Sequence, residues 1–244
     1  MPTPTAPGAP AGPPDPTDLE LLREAAVRLV RTVDAFSDDD WTAPSRLPCW
    51  SRAHVVAHLL RNAEGLAASL HGVVAGEQVP MYPSQERRDG DIEELAAAGD
   101  RAELRDRLLG STTELTDALA AVPADAWGTS IERVPGGRTF PAGAVPGMRL
   151  REIEIHHADL GAGYSPGDWQ DGVAVRVLDA MASRTPSERP FRARATDVGR
   201  TWAFGDGGPT VSGTAADLAW WLTGRGTGAG LTSDDGELPG IEAW

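Results

Sequence analysis

Glu152 and His156 stand four residues apart in the run Arg149-Leu-Arg-Glu152-Ile-Glu154-Ile-His156-His157-Ala-Asp159. On a helix that spacing stacks the two side chains one turn apart on one face. A second run, Arg52-Ala-His54-Val-Val-Ala-His58-Leu-Leu-Arg-Asn62, also places ligand side chains at helical spacing. Four of the five histidines in the chain lie in these two runs. A histidine from a second helix beside a His/Glu pair makes a three-ligand site with an open position, the arrangement catalytic zinc uses. A metal-dependent enzyme is the leading reading.

Helical wheels narrow the candidates without settling them. In the second run, Val55, Val56, Leu59, Ala63, Leu66 and Leu70 set the apolar face. At about 100° per residue, His54 falls opposite that face and His58 at its edge beside Asn62, so His58 is the better inward ligand. In the first run Leu150, Ile153, His157 and Leu160 make the cleanest apolar stripe, with Arg149, Glu152 and His156 about a quarter-turn away. The wheel alone would bury His157 as a hydrogen-bonded core histidine and leave Glu152 as a solvated charge. Glu154 and His157, at i and i+3, are a rival ligand pair, and spacing leaves both pairs open.

These side chains need helices to hold them. Thr17 or Asp18 can cap a first helix carrying Leu21, Leu22, Ala25, Leu29 and Val33, with a stop near Ser37 to Asp40. Residues 41–50 read as a Pro-punctuated loop, and Ser51 caps a second helix to about Leu70. A long loop with Pro80, Pro83 and the charged stretch Glu86 to Asp91 follows. The third helix runs from Arg101 to Ala121, and a Gly-rich connection over 136–143 precedes a fourth helix from Pro146 to Gly161. Four amphipathic helices with two long connections predict a four-helix bundle. Beyond Tyr164 the pattern changes: a helix over 167–183, alternating strands over 191–196 and 201–204 forming a hairpin, a strand at 210–212, and a helix from Thr214 to Leu222. The expected organisation is a Pro-rich disordered tail (1–16), a helix bundle (17–163) and a small α+β domain (164–244), an α+β fold as a whole.

Composition excludes several function classes. A net charge of −14 over 244 residues argues against nucleic acid and anionic membrane surfaces as partners. No apolar run approaches a membrane span, and the N-terminus lacks a signal peptide's pattern, so a cytoplasmic location is expected. All 22 basic residues are arginine, which removes Schiff-base chemistry and the P-loop lysine together. The single Cys49 excludes an internal disulfide and a Cys-pair metal site; Leu47-Pro48-Cys49-Trp50 reads as a buried turn.

Three fragments in order, Leu47-Pro-Cys-Trp-Ser-Arg-Ala-His-Val-Val-Ala-His-Leu-Leu-Arg-Asn62, Arg149-Leu-Arg-Glu-Ile-Glu-Ile-His-His-Ala-Asp-Leu-Gly161 and Asp217-Leu-Ala-Trp-Trp-Leu-Thr-Gly-Arg-Gly226, resemble the mycothiol-dependent maleylpyruvate isomerases. That family resembles DinB-type thiol-dependent metalloproteins with an added sterol-carrier-like C-terminal domain. The resemblance covers nearly everything after the Pro-rich tail. It implies that His58, Glu152 and His156 hold a divalent metal, zinc in the first instance, and that Arg225 reaches the site from the second domain. Two departures border the pocket: Cys49 stands where the family usually has glycine, and Gly147 where a tryptophan often precedes Met-Arg. They bear on the substrate more than on the metal.

The implied chemistry is thiol-dependent cis-trans isomerisation. Mycothiol, as thiolate, adds to the conjugated double bond of maleylpyruvate; the resulting single bond rotates, and expulsion of the thiolate gives fumarylpyruvate. A metal with an open position lowers the thiol's pKa. Arg225 would pair with a carboxylate or with developing enolate charge. Asn62 and Arg149 would stand behind the ligands or bind the thiol, against a solvated-face alternative. The expected partners are a small-molecule electrophile and a low-molecular-weight thiol, on a monomer or weak homo-oligomer. Two alternatives stand beside this: a mycothiol S-transferase acting on another electrophile, and a non-catalytic ligand-binding module needing neither metal nor thiol. Trp220 and Trp221 could line a ligand pocket, although adjacent tryptophans on a short helix more often pack.

Overall fold

The structure, a computed structural model, describes residues 12–98, 100–183, 187 and 189–242. Most of the expected tail lies outside the described residues, but its end is structured. Asp15 Oδ1 accepts from the amide of Thr17 at 2.8 Å, and Pro16 opens α1 (Pro16–Asp34). The cap therefore precedes the expected Thr17 or Asp18, because proline suits a first helical position where no amide hydrogen is needed. The chain divides into two compact units between Gly163 and Tyr164.

In the first unit the stretch expected to stop α1 starts another helix. Ser37 and Asp40 close a capping box on α2 (Asp38–Thr42), which buries Trp41 completely. Ser51 and His54 form the corresponding box at α3 (Arg52–Ala75), which runs past Leu70 to Gly76, whose positive φ of 72° ends it. The loop expected after α3 holds α4 (Gln85–Ala97), capped by the Ser84 hydroxyl. α5 (Arg101–Ala121) has the expected bounds, and Asp100 caps it. A short antiparallel hairpin, β1 (Ser130–Glu132) and β2 (Thr139–Pro141), fills part of the Gly-rich connection. α6 (Val145–Asp159) follows with Pro146 in its first turn.

α3 is the central helix, packed against α4, α5 and α6, while α1 covers the other side of α6. Neighbours on several sides explain why α3 buries Ala57, Leu60 and Ala67 as well as the predicted face. The four long helices of the expected bundle are thus α1, α3, α5 and α6. Where 81–82 crosses α3, Gly65 makes room: a Cβ there would stand 2.7 Å from the Met81 carbonyl oxygen. The amides of Met81 and Tyr82 bond to the carbonyls of Glu132 and Arg133, so the hairpin fixes this crossing.

In the second unit β3 (Phe191–Ala195) and β4 (Arg200–Phe204) form the expected antiparallel hairpin, with Phe191, Ala193 and Ala195 facing the core. β5 (Thr210–Gly213) pairs parallel to β3, and β6 (Thr232–Ser233) adds an edge. The expected helix over 167–183 is shorter: a 3₁₀ turn at Pro166–Asp168 and a left-handed Gly172 precede α7 (Val173–Ala182). Thr214 caps α8 (Ala215–Leu222). Trp221 packs edge-on against Phe191 with ring centroids 5.4 Å apart, a core contact, whereas Trp220 meets Trp169 at 6.3 Å. The fold is α+β. No helix among the described residues is long and apolar enough to cross a membrane.

Candidate metal centre

α6 presents two polar faces to two different helices. Towards α1, Arg28 Nη2 donates to the fully buried Glu154 at 2.6 Å, and Thr32 Oγ1 lies 2.8 Å from His157 Nε2. His157 is a buried, hydrogen-bonded core residue, and the rival pair of Glu154 and His157 is tied to α1. Towards α3, at one-turn steps, α6 carries Arg149, Glu152, His156 and Asp159.

Opposite this stripe α3 places His58, and one turn later Asn62. Glu152 Oε2 stands 3.0 Å from His58 Nε2 and 3.5 Å from His156 Nε2, and the two imidazole rings meet edge-on with centroids 4.6 Å apart. One ligand atom from each of the three residues lies within 4.8 Å of the others. Two imidazoles and a carboxylate around one point are donors suited to zinc or a similar divalent ion. Arg52 holds the helices in this register. Its guanidinium, paired with Asp40, donates to the carbonyls of Leu160 at 2.9 Å and Gly161 at 3.0 Å, tying the start of α3 to the end of α6.

Burial and charge set the protonation of the three. Burial and the neighbouring His156 charge outweigh Glu152 and depress His58 to about 4, leaving it neutral near pH 7. Burial opposes the charge on His156 as well, but hydrogen bonds to Asp159 and Glu152 lift it above its ordinary value. Burial alone would raise Glu152; the two histidines instead hold it well below the usual carboxylate range. Asp159 Oδ2 is 2.9 Å from His156 Nδ1, so the carboxylate keeps a proton on Nδ1 and leaves Nε2 as the ligand atom.

Arg149 and Asn62 form the next layer. Arg149 is almost completely buried; its Nη1 donates to the Leu59 carbonyl at 2.9 Å and to Asn62 Oδ1 at 2.8 Å, while Nη2 has no partner among the described residues. Burial lowers this guanidinium to about 10, offset in part by Glu152 and Tyr82. The solvated-face reading of these two residues is therefore incorrect, because α3 and α6 enclose them. His54 stays away from the three ligands: Nδ1 lies 2.7 Å from the Ser51 hydroxyl and Nε2 3.3 Å from Glu93. Cys49 is exposed, not buried as the turn suggested, and holds a left-handed φ of 65°. Arg225, in the second unit, donates Nη1 to the Thr223 carbonyl at 3.0 Å and lies 5.8 Å from the Trp220 ring centre.

Four neighbours escape the sequence reading. Asp159 was legible, three residues after His156 in a helical run. Trp50, 5.8 Å from the His58 ring, follows the Pro-Cys turn. Tyr82 and Arg88 lie on the crossing and on the unforeseen α4. Arg88 Nη2 is 2.8 Å from His58 Nδ1, and its guanidinium lies 5.8 Å from the Tyr82 ring centre. Burial raises the Tyr82 hydroxyl above its ordinary value, against the lowering effect of the Arg88 charge.

The model of the mycothiol maleylpyruvate isomerase N-terminal domain matches residues 22–161, and that of the MDMPI C-terminal domain matches residues 166–243. A crystal structure of the mycothiol-dependent maleylpyruvate isomerase superposes with a TM-score of 0.85 at 27% identity, covering 99% of this chain and 100% of that one. A histidine-to-alanine mutant of that isomerase gives the same TM-score, identity and coverage. No curated protein matches the chain.

Proposed function

We propose that this chain, which belongs to the mycothiol maleylpyruvate isomerase family, isomerises maleylpyruvate or a close analogue from cis to trans with a divalent metal, zinc in the first instance, and mycothiol. The observation that carries the reading is the convergence of His58, Glu152 and His156 within 4.8 Å, with Asp159 behind His156. A metal held there with an open position would supply Lewis acidity and thiol activation. The thiol would supply reversible addition to the conjugated double bond, which frees that bond to rotate.

The residues of the chain account for the rest. His58 is neutral near pH 7 and Glu152 is ionised, so neither has to lose a proton to act as a ligand. Asp159 orients the His156 ring and makes its Nε2 more basic. Asn62 and Arg149 are assigned to binding the thiol, with Arg149 Nη2 the donor left for it. Arg225 is assigned to a carboxylate or to oxygen charge developing during addition, a role its planar fork suits.

Metal analysis of the purified protein, followed by turnover of maleylpyruvate with and without mycothiol, tests the reading. Metal at one per chain and a trans product with the thiol regained are expected. A stable thiol adduct would indicate an S-transferase instead, and turnover without metal or thiol would reject both.

A further inference from the structure

The two histidines of the site have opposite partners at Nδ1, an acceptor for His156 and a donor for His58. His156 Nδ1 faces the carboxylate of Asp159, which only accepts, so its proton sits on Nδ1. His58 Nδ1 faces Arg88 Nη2 at 2.8 Å, and a guanidinium only donates. His58 Nδ1 therefore accepts, its proton sits on Nε2, and that N–H points at Glu152 Oε2 3.0 Å away. His156 can ligate through Nε2 while Asp159 keeps its Nδ1 proton in place; His58 must instead move its proton from Nε2 to Nδ1.

Metal binding at His58 is incompatible with this Arg88 contact by either ring nitrogen. Ligation through Nε2 moves the proton to Nδ1, and two donors then face each other across 2.8 Å. Ligation through Nδ1 needs the lone pair that Arg88 occupies. A guanidinium beside a divalent ion is also repelled unless an anion comes between them. Arg88 is anchored so that it can turn without leaving the site: Nη1 pairs with Asp89 at 2.6 Å, and the guanidinium lies against Tyr82, with the side chain mostly buried.

We propose that Arg88 is a specificity residue that exchanges His58 for a carboxylate of the substrate when the metal site is loaded. The inference rests on the isomerase reading for the presence of metal and of an anionic substrate. The planar fork fits a carboxylate with two parallel hydrogen bonds. Metal binding thus prepares the carboxylate subsite, and the same guanidinium that holds His58 in the non-ligating tautomer becomes the anion's partner.

Three measurements on the full chain test this, two of them independent of turnover. Nitrogen-15 NMR of labelled histidine should show the His58 proton on Nε2 in the zinc-free protein and on Nδ1 after zinc is added. Zinc affinity, from competition with a chromophoric chelator, should rise about threefold or more in Arg88→Met, because a competing donor and a repelling charge are gone. Binding of the unreactive dicarboxylate maleate to the zinc-loaded protein should weaken about tenfold or more in Arg88→Met, and partly recover in Arg88→Lys.

A support role for Arg88 predicts the reverse, with zinc affinity falling in Arg88→Met, and that result overturns the proposal. Unchanged maleate binding overturns it equally. If Arg88→Met does not fold, Arg88→Gln, whose amide oxygen can accept from Nδ1–H, serves the same comparison. If the wild type binds zinc and maleate as described but does not isomerise maleylpyruvate, the isomerase reading fails while the Arg88 exchange stands. If the wild type binds no zinc, both fall.

Discussion

Asp159 and His156 are joined by a 2.9 Å contact between Oδ2 and Nδ1, one turn apart on α6, with the aspartate completely buried. A buried carboxylate behind an imidazole selects the tautomer that presents Nε2 to a metal. Asp159→Ala should therefore weaken metal binding about 10- to 100-fold without touching a ligand, and Asp159→Asn less. Chelator competition measures this. Unaltered affinity in Asp159→Ala would mean that the contact only supports the end of α6.

The ligands themselves should behave unequally with their neighbour. Metal content per chain should collapse in His58→Ala and in His156→Ala and survive in His54→Ala, since His54 is occupied by Ser51 and Glu93. His54→Ala should instead lose about 1 kcal/mol of stability through its part in the helix cap. A full complement of metal in His58→Ala would remove that residue from the site.

The legible parts of the site were those written in helical periodicity. The i, i+4 step from Glu152 to His156 and the edge position of His58 follow from 100° per residue, and the structure brings the three side chains together. What the wheel could not show was that α6 has two buried polar faces. His157 and Glu154 satisfy the same periodicity towards α1, where Thr32 and Arg28, more than 100 residues earlier, meet them. α4 was lost for a related reason. Pro80 and Pro83 read as loop, and Gln85–Ala97 is so polar that its buried residues are only Asp91, Ile92 and Ala96. Asp91 is held by Arg61 and Arg87, so ion pairs do there what apolar contacts do elsewhere. With that helix went Arg88.

Acid should destabilise the metal-free protein through His58. Its folded value of about 4 lies below the ordinary 6.5, so between those limits the unfolded chain binds the proton and the folded chain does not. Stability from this group is present above 6.5 and lost as pH falls towards 4. His156, raised, has the opposite sign: its contribution is complete below 6.5 and fades as pH rises through its folded value. Glu152, held low, adds a further loss only below the ordinary carboxylate range. In a chelator, thermal midpoints should drop from pH 7 to pH 5 more steeply in the wild type than in His58→Gln. Equal slopes would show that His58 is not held neutral.

Cys49 occupies a left-handed turn at φ 65° beside Trp50, a conformation that costs a residue with a Cβ about 1–2 kcal/mol. Cys49→Gly removes that strain, and the greater freedom of glycine in the unfolded chain takes back part of the gain. A net rise of roughly 0.5–1 kcal/mol with unchanged metal content is expected from denaturant unfolding. A loss of stability would mean that the exposed thiol makes a contact worth more than the strain.

Arg225 should support turnover rather than metal binding. It follows α8 between Gly224 and Gly226, both at positive φ, and a Cβ on Gly226 would come within 3.3 Å of the Trp220 indole nitrogen. The turn therefore needs glycine at 226 to lie close against Trp220, and the guanidinium sits over the same ring. Its Nη1 also donates to the Thr223 carbonyl, which holds the side chain against the end of α8. A dicarboxylic substrate needs a cation, and the chain contains no lysine to provide one. Arg225→Ala should keep its metal and lose roughly a hundredfold in kcat/KM, the scale of one strong electrostatic contact to the transition state. Arg225→Lys should recover part of the loss, because the charge returns without the fork. Isomerase kinetics near those of the wild type in Arg225→Ala would reduce the residue to a packing partner of Trp220.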